Sequence, residues 1–121
     1  MLYVDDEDQL VHLVTGMMER MGYNVTGMTR PADAIDALRA DPRSFDLVLS
    51  DLGMPGMSGM DLAEELLQIR PDLPIIITSG YVRSEDARRA EQIGVQDVVM
   101  KPNTVAEIGQ LIRERLDALR K

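Results

Sequence analysis

The run FDLVLSDLGMPGMSG, residues 45–59, places one acid, Asp51, between an apolar segment and an irregular loop. The apolar residues before Asp51 form the short run typical of a buried strand. The residues after it are rich in Gly, Pro and Met, which indicates a loop whose backbone needs unusual freedom. Ligands of open parallel α/β sheets bind beyond the carboxyl ends of the strands. This segment therefore predicts a site at Asp51.

Four more short apolar runs alternate with segments of helical period on either side of this run, a pattern typical of βαβ units and a mostly parallel sheet. We predict strands at residues 2–4, 23–28, 45–51, 75–78 and 95–100. We predict helices at residues 10–21, 31–38, 58–69, 84–93 and 104–119. Ser58 and Thr104 are the expected caps of two helices, and Gly94 is expected to end another. Residues 1–121 are therefore expected to form one α/β domain.

The composition, with 45% hydrophobic and 28% charged residues, is that of a soluble globular domain. No apolar run is long enough to cross a bilayer, and the N-terminus lacks the pattern of a secretory signal, so we expect a cytoplasmic location. The absence of cysteine excludes disulfides and thiolate metal sites. A formal net charge of −8 disfavours contact with nucleic acid or an anionic membrane and favours a protein partner or a cation.

Polar residues follow four of the five predicted strands. Asp5 and Asp6 end the first strand, Asp51 the third, Thr78 the fourth and Lys101 the fifth. Each alone has a simpler explanation as a turn former, a strand residue or a solvated cation, and only their shared strand-end position indicates a site. Three carboxylates held together repel one another unless a cation joins them, and hard oxygen ligands suit Mg²⁺. We therefore predict a magnesium site.

A magnesium site of this kind would allow Asp51 to act as a nucleophile. Mg²⁺ takes only a couple of protein carboxylates and keeps several waters, which leaves an oxygen of Asp51 free to act as a nucleophile. The Gly53 carbonyl is a further candidate ligand, because a glycine lets the chain approach the acid closely. Lys101 could contact a phosphoryl oxygen on Asp51, and Thr78 could donate a hydrogen bond to another.

Four motifs resemble those of the receiver domains of two-component response regulators. They are VDDE at 4–7, SDLGMPGMSG at 50–59, ITSG at 77–80 and KP at 101–102, and the resemblance covers essentially the whole chain. It implies a flavodoxin-like doubly wound sheet of five parallel strands in the order 2-1-3-4-5, with five helices. It also implies a protein that accepts a phosphoryl group from a histidine kinase or phosphotransfer protein and relays the signal by a conformational shift.

The resemblance also assigns roles to the strand-end residues. Direct magnesium ligands would be Asp6, Asp51 and the Gly53 carbonyl, Asp5 would help largely through water, Asp51 would be phosphorylated, and Thr78 and Lys101 would hold the phosphoryl group. It further implies a cis peptide bond between Lys101 and Pro102. No role is expected for His12, because a lone histidine on an amphipathic helix is usually an ordinary surface residue.

The surface that transmits the signal departs from the family pattern. The position three residues before Lys101, often an aromatic switch in the family, is Val98, and Tyr81 is the nearest aromatic that could respond instead. Any homodimer is expected to use the face made by the fourth helix, the fifth strand and the fifth helix. The sequence ITSGY together with Val98 resembles receivers of hybrid histidine kinases more than receivers fused to DNA-binding domains.

Two other functions are compatible with the same residues. A Mg²⁺-dependent phosphohydrolase would also use Asp51 as nucleophile, but it needs a second acid or base for turnover. A docking module that has lost phosphorylation is the other alternative, and the filling of all five site positions argues against it. We therefore expect a protein that assists its own phosphorylation and dephosphorylation and is not a stand-alone turnover enzyme.

Overall fold

The computed structural model describes residues 1–119 and contains one five-stranded sheet with helices on both faces. The strands are β1 (Leu2–Val4), β2 (Thr26–Met28), β3 (Val48–Asp51), β4 (Ile75–Ser79) and β5 (Asp97–Met100). The helices are α1 (Asp8–Arg20), α2 (Pro31–Ala40), α3 (Gly59–Ile69), α4 (Ser84–Ile93) and α5 (Val105–Leu119). All paired strands are parallel and follow the order β2-β1-β3-β4-β5, which confirms the predicted doubly wound fold.

The sheet separates two apolar layers, because successive side chains of a strand point to opposite faces. Leu2 and Val4 contribute to the layer covered by α2, α3 and α4, whereas Tyr3 contributes to the layer covered by α1 and α5. The three central strands, β1, β3 and β4, are buried on both faces and read as continuous apolar runs, which is why the sequence located them. No helix among residues 1–119 is long and apolar enough to cross a membrane.

The second, third and fifth strands begin later than predicted, and in the second and fifth the first predicted N–H donates to the preceding helix instead of to a strand. The Tyr23 N–H donates to the Met18 carbonyl at 2.9 Å, at the end of α1. The Val95 N–H donates to the Ala90 carbonyl, also at 2.9 Å, and so closes α4. The third strand begins only at Val48, where pairing with β1 and β4 starts. Apolar character alone does not reveal where this pairing begins.

The predicted helix ends are confirmed at three places. Ser58 is the N-cap of α3, where its hydroxyl accepts the Asp61 N–H at 3.1 Å and the Asp61 carboxylate accepts the Ser58 N–H at 3.2 Å. The Thr104 hydroxyl accepts the Glu107 N–H at 3.1 Å as α5 begins. Gly94 ends α4 with a φ of 95°, a left-handed conformation that favours glycine.

The bond between Lys101 and Pro102 is trans, and residues 1–119 contain no cis peptide bond. The cis bond implied by the resemblance is therefore wrong for this structure. Even before proline the trans form is favoured by about 0.5–1 kcal/mol. The Lys101 N–H donates to the Ser79 carbonyl at 2.8 Å, so pairing of β5 with β4 continues up to the residue before the proline. From this backbone the Lys101 ammonium reaches the strand-end acids.

We expect Ser58→Ala to lower the free energy of unfolding by about 1 kcal/mol, because α3 loses the oxygen that accepts the Asp61 N–H. Urea unfolding followed by circular dichroism measures the change. Ser84→Ala is the matched control, since Ser84 is an exposed first residue of α4 and not its N-cap. Such a surface change should stay within about 0.5 kcal/mol. Equal losses in the two variants would contradict the role of Ser58 as a cap.

Candidate functional site

Three carboxylates meet at the carboxyl ends of β1 and β3. Asp5 and Asp6 follow β1, Asp51 is the last residue of β3, and one carboxylate oxygen from each lies within 4.8 Å of the others. Their exposure differs: Asp5 is fully buried, Asp51 is 9% exposed and Asp6 lies on the surface. The predicted acidic cluster is therefore present, with one acid enclosed by the protein and another facing solvent.

Lys101 crosses from β5 to this cluster and supplies positive charge. Its Nζ lies 2.8 Å from Asp5 Oδ2 and 3.4 Å from Asp51 Oδ2. Partial burial lowers the pKa of Lys101, but the hydrogen bond to Asp5 and the charges of Asp5 and Asp51 outweigh burial and leave this pKa raised. The side chain is therefore a firmly charged ammonium shared between two acids.

Opposing effects act on the pKa of Asp51. Burial raises its pKa, the charge of Lys101 opposes that rise, and the charges of Asp5 and Asp6 add to it, with a raised pKa as the net result. A divalent cation among the three acids would favour the ionised form of Asp51. The donor set consists of hard carboxylate oxygens, as Mg²⁺ requires, so the residues present fit that ion.

Thr78 lies beside Asp51 on the neighbouring strand. The two residues are direct partners in the parallel pairing of β3 with β4, so their side chains leave the sheet on the same face. Thr78 is 2% exposed, and its carbonyl accepts the Leu52 N–H at 2.8 Å just after the acid. The predicted hydroxyl is thus next to the predicted nucleophile.

The loop after Asp51 is shaped by its glycines. Gly53 is exposed, and nothing lies within 4 Å of the place where a side chain would stand. Gly59 is the opposite case, because a Cβ there would collide with the carbonyl group of Asp51. The Gly59 N–H donates to the Leu52 carbonyl at 2.8 Å, which folds the loop back onto the acid. Sequence reasoning identified Gly53 but not the close approach of Gly59.

Two contacts to Asp5 were also missed. The Tyr3 hydroxyl donates to Asp5 Oδ2 at 3.1 Å, and the Glu7 N–H donates to Asp5 Oδ1 at 3.0 Å. Burial and the charge of Asp5 raise the pKa of Tyr3 far above its usual range, so the phenol remains a donor. A signal was available: residues two apart on a strand share a face, and a buried tyrosine hydroxyl needs a partner.

Comparisons with known proteins agree with this fold and site. The family model of the response regulator receiver domain matches residues 1–113. The response regulator SaeR of Staphylococcus aureus is 31% identical over 121 residues, which are 100% of this chain and 52% of that protein. The two-component response regulator ARR10 of Arabidopsis thaliana is 32% identical over 107 residues, 88% of this chain and 19% of that protein.

Solved structures show the same similarity. A CheY-like response regulator receiver domain protein from Methanospirillum hungatei has a TM-score of 0.80 at 27% identity, covering 97% of this chain and 92% of its own. The non-phosphorylated HemR receiver domain from Leptospira biflexa has a TM-score of 0.79 at 28% identity, covering 94% of this chain and 89% of its own.

The doubly wound fold together with these matches places the chain in the phosphoacceptor class of signalling domains. More specifically, the chain belongs to the response regulator receiver domain family. Members of this family accept a phosphoryl group on an aspartate in two-component signalling, and they generally bind Mg²⁺. The chain spans about a fifth to a half of the length of the curated relatives quoted above.

We expect Gly59→Ala to slow phosphorylation of the domain on the order of 100-fold, because a Cβ at residue 59 displaces the Asp51 backbone and misplaces the reacting acid. The initial rate with acetyl phosphate and Mg²⁺, followed by intact mass, measures the effect. Gly16→Ala is the matched control, since a Cβ in this part of α1 meets only the end of the flexible Arg20 side chain at an ordinary distance. A folded Gly59→Ala variant with the wild-type rate would refute this role for Gly59.

Proposed function

We propose that residues 1–121 form a receiver domain in which Asp51 accepts a phosphoryl group from the phosphohistidine of a histidine kinase or phosphotransfer protein. The arrangement of charge around Asp51 carries the proposal. Its carboxylate lies at a strand end, 3.4 Å from the Lys101 ammonium and within a cluster of three acids. Phosphoryl transfer depends on positioning and on positive charge near the phosphoryl oxygens, and these surroundings can supply both.

In the proposed transfer, one carboxylate oxygen of Asp51 attacks phosphorus while the bond from phosphorus to the donor imidazole nitrogen breaks. The electron pair of that bond stays on the imidazole nitrogen, and because the other ring nitrogen carries a proton, the donor leaves as neutral imidazole. Lys101 offsets the negative charge that spreads over the equatorial oxygens, and Thr78 donates a hydrogen bond to one of them. The position of Thr78 beside Asp51 in the β3–β4 pairing supports this role.

We assign the magnesium ligands within this proposal to Asp6, Asp51 and the carbonyl of Gly53, with Asp5 acting largely through water. The exposure of Asp6 and the enclosure of Asp5 support this division, because Oδ2 of Asp5 already accepts from Lys101. When bound, Mg²⁺ neutralises negative charge on the phosphoryl oxygens. The protein's own part is to hold the acids together and to keep Asp51 free at one oxygen.

The output of the proposed switch passes through the face formed by α4, β5 and α5, which is also the proposed surface of any homodimer. Val98 is half-buried, packs against the core and carries no aromatic ring that could act as the switch. Tyr81, by contrast, is 72% exposed, and its backbone N–H and carbonyl both contact the Ser79 hydroxyl. We propose Tyr81 as the aromatic that responds to phosphorylation.

The domain is proposed to work in the cytoplasm, within a longer signalling protein. The greater length of the curated relatives supports a multidomain context. The ITSGY sequence and Val98 favour a hybrid histidine kinase as that context. Direct contact with nucleic acid or membrane is not proposed for this domain, whose net charge of −8 would oppose it.

Intact mass after incubation with acetyl phosphate and Mg²⁺ tests the phosphoacceptor role. We expect the wild-type domain to gain one phosphoryl group, and the Asp51→Asn variant or an EDTA-treated sample to gain none, because the nucleophile or the cation is then missing. Asp46→Asn is a matched control that removes an exposed carboxylate near the same strand and should leave the gain intact. No gain in the wild type would favour the docking module, and catalytic release of phosphate from small esters would favour the phosphohydrolase.

We expect the acyl phosphate on Asp51 to be short-lived, with loss in minutes after the phosphodonor is removed. Gly53 and Gly80 leave open space where side chains would stand, so water has free access to phosphorus. Gly53→Leu should lengthen the lifetime severalfold by obstructing that access, and the decay of intact mass measures it. Gly16→Leu, within α1, controls for a general effect of the added bulk. A wild-type lifetime of many hours would contradict open access.

A further inference from the structure

Tyr3 carries a hydroxyl group that its packing does not require. It lies on β1 with 1% exposure, in the apolar layer between the sheet and helices α1 and α5. A phenylalanine ring would fill nearly the same volume there. The hydroxyl points along the strand to Asp5 Oδ2 and donates to it at 3.1 Å. The one polar atom of this side chain therefore binds an acid of the candidate site.

The oxygen that Tyr3 contacts is the one that also holds Lys101. Asp5 Oδ2 accepts from Lys101 Nζ at 2.8 Å, while Asp5 Oδ1 accepts the Glu7 N–H at 3.0 Å. Three donors thus engage the two oxygens of a fully buried carboxylate. A charged acceptor held by several donors has little freedom to rotate, so the place of the Lys101 ammonium is also defined.

Asp5 and Asp51 compete for that ammonium. Lys101 Nζ is closer to Asp5, at 2.8 Å, than to Asp51, at 3.4 Å. A hydrogen bond from the Tyr3 hydroxyl takes up part of the negative charge on Asp5 Oδ2 and so weakens the hold of Asp5 on Lys101. Without this hydroxyl, Lys101 would be the one remaining side-chain donor to Asp5 Oδ2 among residues 1–119, and the buried Asp5 would retain the ammonium more strongly.

We propose that Tyr3 is a positioning residue of the phosphoacceptor site, whose hydroxyl orients Asp5 and keeps Lys101 shared between Asp5 and Asp51. This inference rests on the proposed function, because it concerns the supply of Lys101 to a phosphoryl group on Asp51. Tyr3 itself touches no reacting atom and acts only through Asp5.

Tyr3→Phe tests the proposal, because it removes the hydroxyl and keeps the ring. At saturating Mg²⁺ and acetyl phosphate we expect its phosphorylation rate to fall on the order of tenfold, the scale of one hydrogen bond to a charged group. Tyr23→Phe is the matched control, since its hydroxyl contacts Asp117 at 3.3 Å and not the site acids, and it should keep the wild-type rate. A folded Tyr3→Phe variant with the wild-type rate would overturn the proposal.

A double-mutant cycle separates positioning from a general structural effect. In a Lys101→Ala background, followed over a longer incubation, Tyr3→Phe should cause no further loss of rate, because the group that Tyr3 positions is already gone. An equal tenfold loss in both backgrounds would show that Tyr3 only supports the fold. Wild-type protein that takes up no phosphoryl group would refute the proposed function itself, whereas normal uptake with an unaffected Tyr3→Phe variant refutes this inference alone.

A measurement without metal or phosphodonor completes the test. We expect a slowly exchanging hydroxyl proton of Tyr3 in the proton NMR spectrum of the metal-free domain, because the group is buried and donates to a carboxylate. This signal should be absent from Tyr3→Phe and should shift in Asp5→Asn. An unchanged signal in Asp5→Asn would show that the hydroxyl has another acceptor in solution and would overturn the proposal.

Discussion

The ion pairs of Lys101 with Asp5 and Asp51 are the interaction on which the arrangement of the strand ends depends. Removing an ionised carboxylate from water is costly and is offset only by paired charge and hydrogen bonds. Asp5 is fully buried and Asp51 nearly so, and Lys101 lies within 3.4 Å of both. The lysine comes from β5 at the sheet edge and Asp5 from β1, with β3 and β4 between them. The strand order therefore brings to the buried acids the positive charge that they need.

Lys101 does not neutralise all the negative charge at the strand ends. Three carboxylates face one ammonium, which leaves two negative charges in excess when all the acids are ionised. A divalent cation matches this excess. Burial and the charges of Asp5 and Asp6 raise the pKa of Asp51 despite the opposing charge of Lys101. Asp5, enclosed by Tyr3, Glu7 and Lys101, cannot easily give up its partners. The exposed Asp6 is better placed to approach an ion.

The strand-end residues could be predicted because a parallel sheet brings the ends of its strands to one edge, so Asp51, Thr78 and Lys101 needed only to be assigned to their strands. Local sequence patterns were less informative for features that tertiary contacts determine. Val95 reads as a strand residue, but its N–H closes α4. The trans bond at Lys101 differs from what the family resemblance implied. The contact of Gly59 with the Asp51 carbonyl depends on how the loop returns, which no spacing in the sequence records.

The ion pairs that connect α3, which follows the loop after Asp51, with α4 are weak. Arg89 of α4 contacts Asp61 at 2.8 Å and Glu64 at 3.2 Å on α3, and its hydrogen bond lowers the pKa of Asp61. Asp61 also completes the cap of α3, directly after the loop that follows Asp51. These side chains are about half exposed, and exposed ion pairs contribute about 0–1 kcal/mol each. Moving a population from 1:99 to 99:1 takes about 5.5 kcal/mol, so the ion pairs can bias α4 but cannot drive it. In the proposed switch, the driving energy would therefore come from the buried charges at the strand ends, where a change of charge on Asp51 would act in a poorly solvated environment.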